Sequence, residues 1–144
     1  MQTMSSGGPR ASIPLPPAAA RRLEFGLDDL HDLRSRVAAT AAATGLAQRR
    51  VSDLVVAASE LAANSVLHGG GRGLATIWGD HDAVYVEVAD GGTITDPNVG
   101  HDLPDPTAEH GRGLYIANQL CDAVAIESGK SGTRVRLRME IGSD

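Results

Sequence analysis

A chain of 144 residues is long enough for one domain around a single buried core. Its 42% hydrophobic content fits a globular fold, yet one Phe, one Trp and two Tyr leave Ala, Val and Leu to fill the interior. A net charge of −5 argues against a general binder of nucleic acid or anionic membrane, which needs a basic footprint.

The first twenty residues, rich in Pro, Ala, Ser and Gly, lack the apolar core of a secretory signal. They are expected to form a disordered leader on a domain spanning residues 21–144. No apolar run approaches the ~18 residues of a membrane span. The lone cysteine, Cys121, excludes an internal disulfide framework and is read as packing. These features together point to the cytoplasm.

Arg22–Leu27 reads as a short strand, followed by a helix from Asp28 to Thr44 with acidic residues in its first turn and Gly45 at its end. Leu30, Leu33, Val37 and Ala41 recur on it at helical spacing. A second helix is predicted from Ser52, a natural N-cap, to His68, stopped by Gly69-Gly70-Gly71. Its core stripe is Leu54, Val55, Ala58, Leu61 and Ser65. Glu60, Asn64 and His68 follow one another at i,i+4 and share a side, which Asp53 and Ala57 extend. An unpaired polar group buried in apolar surroundings costs roughly 2–7 kcal/mol, so Glu60 and Asn64 call for a partner. A carboxylate beside an amide oxygen suits Mg²⁺ and the orienting of a nucleophile or water. The alternative is a solvated helix face, with His68 complementing the helix C-terminus.

The period then changes to two. Leu74–Trp78 and Ala83–Ala89 read as strands joined by Gly79-Asp80-His81-Asp82, with Val84, Val86 and Val88 facing one way and Tyr85 and Glu87 the other. Asp90-Gly91-Gly92 follows directly. A strand-end Asp can accept a hydrogen bond from a ligand amine such as that of adenine, and Gly92 permits close approach; Asp-Gly is equally a favoured hairpin turn. The next stretch, rich in Gly, Pro, Asp and His, runs to Arg112 and is long enough to be functional or mobile. Within it His101, Asp102 and His110 could make a metal site, a reading placed below the others.

His110-Gly111-Arg112-Gly113-Leu114 opens a helix whose pattern runs over Gly113–Leu120. Its glycines would expose backbone N–H groups to phosphate, with Arg112 adding charge; a plain loop-to-helix junction has the same sequence. The last hairpin pairs Ala123–Ser128 with Thr133–Glu140 through Gly129–Gly132. Gly129-Lys130-Ser131 mimics the end of a Walker A loop, but the first glycine would fall at Val124 and no helix follows. Helices grouped on one face of a largely antiparallel sheet would bury these patterns: an α+β two-layer sandwich.

Together and in this order, the pieces resemble the ATP-binding domain shared by gyrase, heat-shock chaperones, histidine kinases and MutL. Glu60 and Asn64 resemble its N box, and Asp90-Gly91-Gly92 its adenine-binding box. Gly111-Arg112-Gly113 resembles the phosphate box at the end of the ATP lid, and Gly132-Thr133 the final box. The resemblance covers residues 22–140. Within that superfamily the chain is most similar to the small stand-alone anti-sigma-factor-type serine/threonine kinases of bacteria, through Glu-Leu-x-x-Asn-x-x-x-His-Gly-Gly, Asp-Gly-Gly and Gly-Arg-Gly-Leu.

The resemblance implies a Bergerat-type fold, helices on one face of a mixed, largely antiparallel sheet. It also implies a cytoplasmic ATP- and Mg²⁺-dependent transferase that regulates transcription. Such a protein would bind a sigma factor or comparable regulator, phosphorylate a Ser or Thr of an anti-sigma antagonist, and form a homodimer. By position, Asn64 would bind Mg²⁺ and Glu60 would act as general base. Asp90 would take the adenine amine, with Gly92 and Thr133 completing that pocket. Gly111 and Gly113 would cradle phosphates, and Arg112 would neutralise developing charge. The chain departs from the pattern at Ile94, where the superfamily often has a second glycine, and at Glu109-His110, where some of these kinases carry Arg. Two further readings are a nucleotide-gated partner-sequestering module without kinase activity and a plain α+β interaction domain without nucleotide.

Overall fold

The apolar stripes of the helices and the valine-bearing face of the strands meet at one interface, and the architecture follows from that meeting. The computed structural model describes residues 2–6, 13–92 and 111–142. Strand β1 (Gln2–Ser6) and strand β2 (Arg21–Phe25) precede a 3₁₀ turn at Leu27–Asp29. Helices α1 (Leu30–Thr44) and α2 (Gln48–His68) follow, then β3 (Gly73–Gly79), β4 (Ala83–Asp90), α3 (Gly111–Leu120), β5 (Ala123–Gly129) and β6 (Gly132–Glu140). The sheet order is β1-β5-β6-β4-β3-β2, and every described pairing is antiparallel. This is the expected α+β two-layer sandwich.

Val84, Val86 and Val88 join Leu33, Val37, Leu54, Leu61, Leu114 and Leu137 in one core. Tyr85 and Glu87 point to the opposite face as their alternation requires, and there Tyr85 stacks on Trp78 with centroids 5.3 Å apart. The Gly26 N–H donates to the Asp29 carboxylate at 2.8 Å, closing the entrance to α1. Gly45 closes its end in the left-handed region at φ 106°.

Three differences from the sequence reading have physical causes. α2 begins at Gln48, so Ser52 lies inside the helix and is no cap. Arg50 in that added first turn is buried, 9% exposed, and pairs with Asp122, a tertiary anchor stronger than a local cap preference. Ala57, placed by its spacing beside Glu60, is fully buried in the core. Within the leader, Gln2–Ser6 pair with β5. An unpaired β5 edge would present open N–H and C=O groups, which this strand satisfies.

Candidate functional site

Four elements converge at one end of the sheet: the C-terminal half of α2, the end of β4, the start of β6 and α3. β4 ends at Asp90, which stands opposite Thr133 of β6. Both edges of β4 are already paired, to β3 and β6, so Asp90-Gly91-Gly92 cannot turn into an adjacent strand. The hairpin alternative therefore fails. The segment instead folds against α2, where the Gly91 N–H donates to the Gly69 carbonyl at 3.2 Å.

The Asp90 carboxylate is held at both oxygens. Oδ2 accepts from the Ser65 hydroxyl at 2.6 Å, and Oδ1 accepts from the Gly92 N–H at 2.8 Å. Each oxygen keeps a second lone-pair direction for a ligand N–H. The Thr133 hydroxyl donates to the Gly92 carbonyl at 2.8 Å and lies 2.8 Å from the Ser128 hydroxyl. The Asp90-Gly91-Gly92 segment and the start of β6 are thus hydrogen-bonded to each other.

A cleft of about 330 Å³, counted out to its open mouth, lies between α2 and the sheet. Leu61, Val88, Leu114 and Val135 give it apolar walls, and Asn64, Ser65, Asp90 and Thr133 supply the polar groups. Apolar walls with a few convergent polar groups are the ordinary composition of a small-molecule site.

Asn64 stands one turn beyond Glu60 on α2 and faces α3. A Cβ on Gly113 would fall 2.7 Å from Asn64 Nδ2, so glycine there lets α3 approach the carboxamide. Glu60 is 31% exposed, and Arg112 Nε lies 3.9 Å from its Oε1 on a side chain that is 82% exposed. The first turn of α3 begins at Gly111, where N–H groups lack intrahelical acceptors. The predicted residues Glu60, Asn64, Asp90, Gly92, Gly111, Arg112, Gly113 and Thr133 therefore all border this end of the molecule. Residues 93–110, with Ile94, His101, Asp102, Glu109 and His110, lie outside the described residues.

The donor set fits a nucleotide: a carboxylate with spare acceptor capacity in an apolar slot, and a helix N-terminus beyond it. It fits Mg²⁺ in one way only. Among the described residues no cluster of three or more His, Cys, Asp or Glu could hold a metal. A cation here would be carried by one or two protein oxygens plus ligand phosphates, a coordination natural to Mg²⁺.

Sequence reasoning missed two positions. Ser65 belongs by spacing to the core stripe, yet a hydroxyl buried in an apolar stripe needs a partner, and that signal is present in the sequence. Gly69 is by sequence only a helix stop. A Cβ there would fall 2.4 Å from the Asp90 carboxyl carbon. Cys121, as expected, is a packing residue: burial, with the negative Asp122 beside it, pushes its thiol pKa up to about 12.

No helix among the described residues is long and apolar enough to cross a membrane. No curated protein matches the chain. Among solved structures, the RsbU and RsbW domains of Rv1364c from Mycobacterium tuberculosis align with a TM-score of 0.56 at 22% identity. The alignment covers 83% of this chain and 32% of that one, so this chain spans about a third of its length. Identity this low speaks to the fold alone. The profile of the histidine kinase-like ATPase domain matches residues 23–139, nearly the whole span over which the motifs are ordered. The chain belongs to the histidine kinase-like ATPase domain family, and ATP is the ligand that membership implies.

Proposed function

We propose that the chain is an ATP- and Mg²⁺-dependent regulatory serine/threonine kinase of the anti-sigma type, acting in the cytoplasm. The observation that carries this reading is the cleft itself, with Asn64 on its α2 wall, one turn from Glu60, and Asp90 and Thr133 on its sheet side. In this reading Asp90 accepts the adenine amine, and Gly92 and Thr133 complete the base pocket. Amides of Gly111 and Gly113 donate to phosphate oxygens, and Asn64 carries the cation. Bound ATP supplies the phosphoryl group. Glu60 takes the proton released by the attacking Ser or Thr hydroxyl, and its partial exposure leaves it within reach of a protein substrate. Arg112 offsets charge developing during transfer. Positioning and electrostatic stabilisation are most of what phosphoryl transfer needs.

The partners in this reading are a sigma factor or comparable regulator and an anti-sigma antagonist, with transcription controlled through their exchange and the chain acting as a homodimer. The test is transfer from [γ-³²P]ATP to candidate antagonists. Labelling should depend on Mg²⁺ and disappear with Glu60→Ala; labelling that survives this substitution unchanged removes Glu60 from the chemistry. A second reading, a nucleotide-gated sequestering module without transfer, is favoured by the Arg112 contact, which engages the carboxylate that would serve as base. ATP-dependent capture of a partner with no labelling of any antagonist decides for it.

A further inference from the structure

Strand β2 ends the sheet on its side. β3 pairs with it along Arg21–Phe25, and no described segment pairs with its other edge. Ile13 and Ala20, which lead into it, pack inward against Trp78, Ala83 and Tyr85 on the face away from the helices, so they leave that edge open. An open edge presents N–H and C=O groups that are a template for another strand.

The residues of β2 say which strand. Set antiparallel against itself about Leu23, the run Arg21-Arg22-Leu23-Glu24-Phe25 brings Arg22 opposite Glu24 of the partner subunit and Glu24 opposite the partner's Arg22. Directly opposed residues share a face, so both helical layers stay on one side of the joined sheet. The smallest slip that keeps them there is two residues, and it sets Arg22 against Arg22 or Glu24 against Glu24. Charge therefore selects a single register.

Cross-strand neighbours do not cancel these charges. Arg22 and Glu24 are exposed and stand opposite Thr76 and Leu74 of β3. Arg22 donates to the carbonyls of Pro17 at 3.3 Å, Ala18 at 3.2 Å and Ala20 at 3.1 Å, neutral groups that steady the guanidinium and leave its charge. On the helix side Leu23 is only partly buried. An open groove of about 700 Å³ is lined there by Arg21 and by Ala39, Thr40 and Ala43 of α1, leaving room for a second strand. Arg36 in that groove is already paired with Asp32 at 3.0 Å, so it adds little repulsion between copies.

We propose that two copies of this chain join antiparallel along β2, with Leu23 on the two-fold axis and Arg22 paired with Glu24 across it, so that their sheets run on as one. A self-complementary edge of this kind closes as a dimer and leaves nothing for a third copy. The proposal rests on the kinase reading for the expectation of a homodimer and on β2 for its interface; assembly is measured without nucleotide, so each can fail alone.

The test is sedimentation equilibrium of the full chain in low salt, where exposed charges are least screened. A five-residue strand and a groove make a small interface, so the wild type should dimerise with a micromolar Kd. Arg22→Glu and Glu24→Arg each set like charges opposite one another twice, and each should weaken self-association about tenfold or more. Mixed together, the two variants regain opposite charges at every pair and should form a heterodimer as tight as the wild-type dimer. Leu23→Cys, oxidised with glutathione disulfide, should give a disulfide-linked dimer, because residues facing across the axis are within disulfide reach. That variant serves if Arg22→Glu does not fold, as far-UV circular dichroism would reveal. A wild type still monomeric at millimolar concentration overturns the proposal and leaves the ATP cleft untouched. Undiminished dimerisation of Glu24→Arg overturns it, as does a folded mixture that stays monomeric or a folded Leu23→Cys chain that gives no linked dimer.

Discussion

Asp90 is fixed by what surrounds it rather than by its own strand. Ser65 holds one oxygen and the Gly92 amide the other, while Gly69 leaves the space the carboxylate occupies. Gly69 has an ordinary backbone conformation, φ −107° and ψ 18°, so alanine there meets no conformational strain. Its methyl carbon would nonetheless land on the Asp90 carboxyl. Gly69→Ala should therefore abolish ATP binding by calorimetry and lower the unfolding midpoint modestly, since the Ser65 and Gly92 bonds to the displaced carboxylate are lost; full binding by that variant removes Asp90 from the nucleotide site. Cys121 gives a second residue-level prediction. With its thiol pKa raised to about 12 by burial, it should resist alkylation at pH 8 in the folded chain and react on unfolding. The sign of the linkage follows. Above the ordinary thiol value of about 8.5 the unfolded chain loses this proton and the folded chain keeps it, so stability falls as pH climbs toward 12. Cys121→Ala should flatten that alkaline decline in a pH series of denaturant titrations.

At the scale of elements, α2 is the spine of the site, and its start is set by a contact 72 residues away. Arg50 pairs with Asp122, whose carboxylate also accepts the Glu140 N–H at 2.6 Å, while the Asp122 N–H donates to Arg138 at 3.0 Å. One carboxylate thus ties the first turn of α2 to β6. Nε of Arg50 is buried without a hydrogen-bond partner among the described residues, so this guanidinium depends on Asp122. Asp122→Ala should lower stability by about 3 kcal/mol, since it strands a buried charge. Asp122→Asn should cost less because it keeps an acceptor for Glu140; equal losses in urea unfolding would mean that the charge is irrelevant. The same contact marks where the sequence stops being legible. β3 and β4 lie within a residue of their predicted spans because alternation is local. α1 ends where Gly45 says it should. The start of α2, the pairing of β1 and the bond from Ser65 to Asp90 each depend on a partner distant in sequence. Glu60, Asn64, Asp90 and Gly92 stand out by type and spacing, and Ser65 by its hydroxyl in an apolar stripe; that Ser65 and Gly69 shape the place of Asp90 is set only by the fold.

For the whole molecule, ligand binding and folding are one equilibrium. The chain carries −5 and must accept a polyanion, so the helix entrance at Gly111 and the side chain of Arg112 oppose an unfavourable global field. A divalent cation on the phosphates lowers the charge to be accommodated, so Mg²⁺ should tighten binding even before any contact with Asn64. A ligand that binds only the folded state stabilises it by about 2.7 kcal/mol at a hundred times its Kd. In a domain of this size that raises Tm by roughly 5–10 °C. Wild-type protein should therefore melt later in ATP, and later still when Mg²⁺ is added. With Asp90 in its proposed role as the acceptor of the base, Asp90→Ala should erase the whole shift. Asn64→Ala should keep the part due to nucleotide alone and lose part of the Mg²⁺ increment, the remainder being electrostatic and sensitive to salt. A wild-type midpoint unmoved by saturating ATP and Mg²⁺ would leave the cleft without its nucleotide. An Asn64 variant with an intact Mg²⁺ increment would instead take only the cation away from α2.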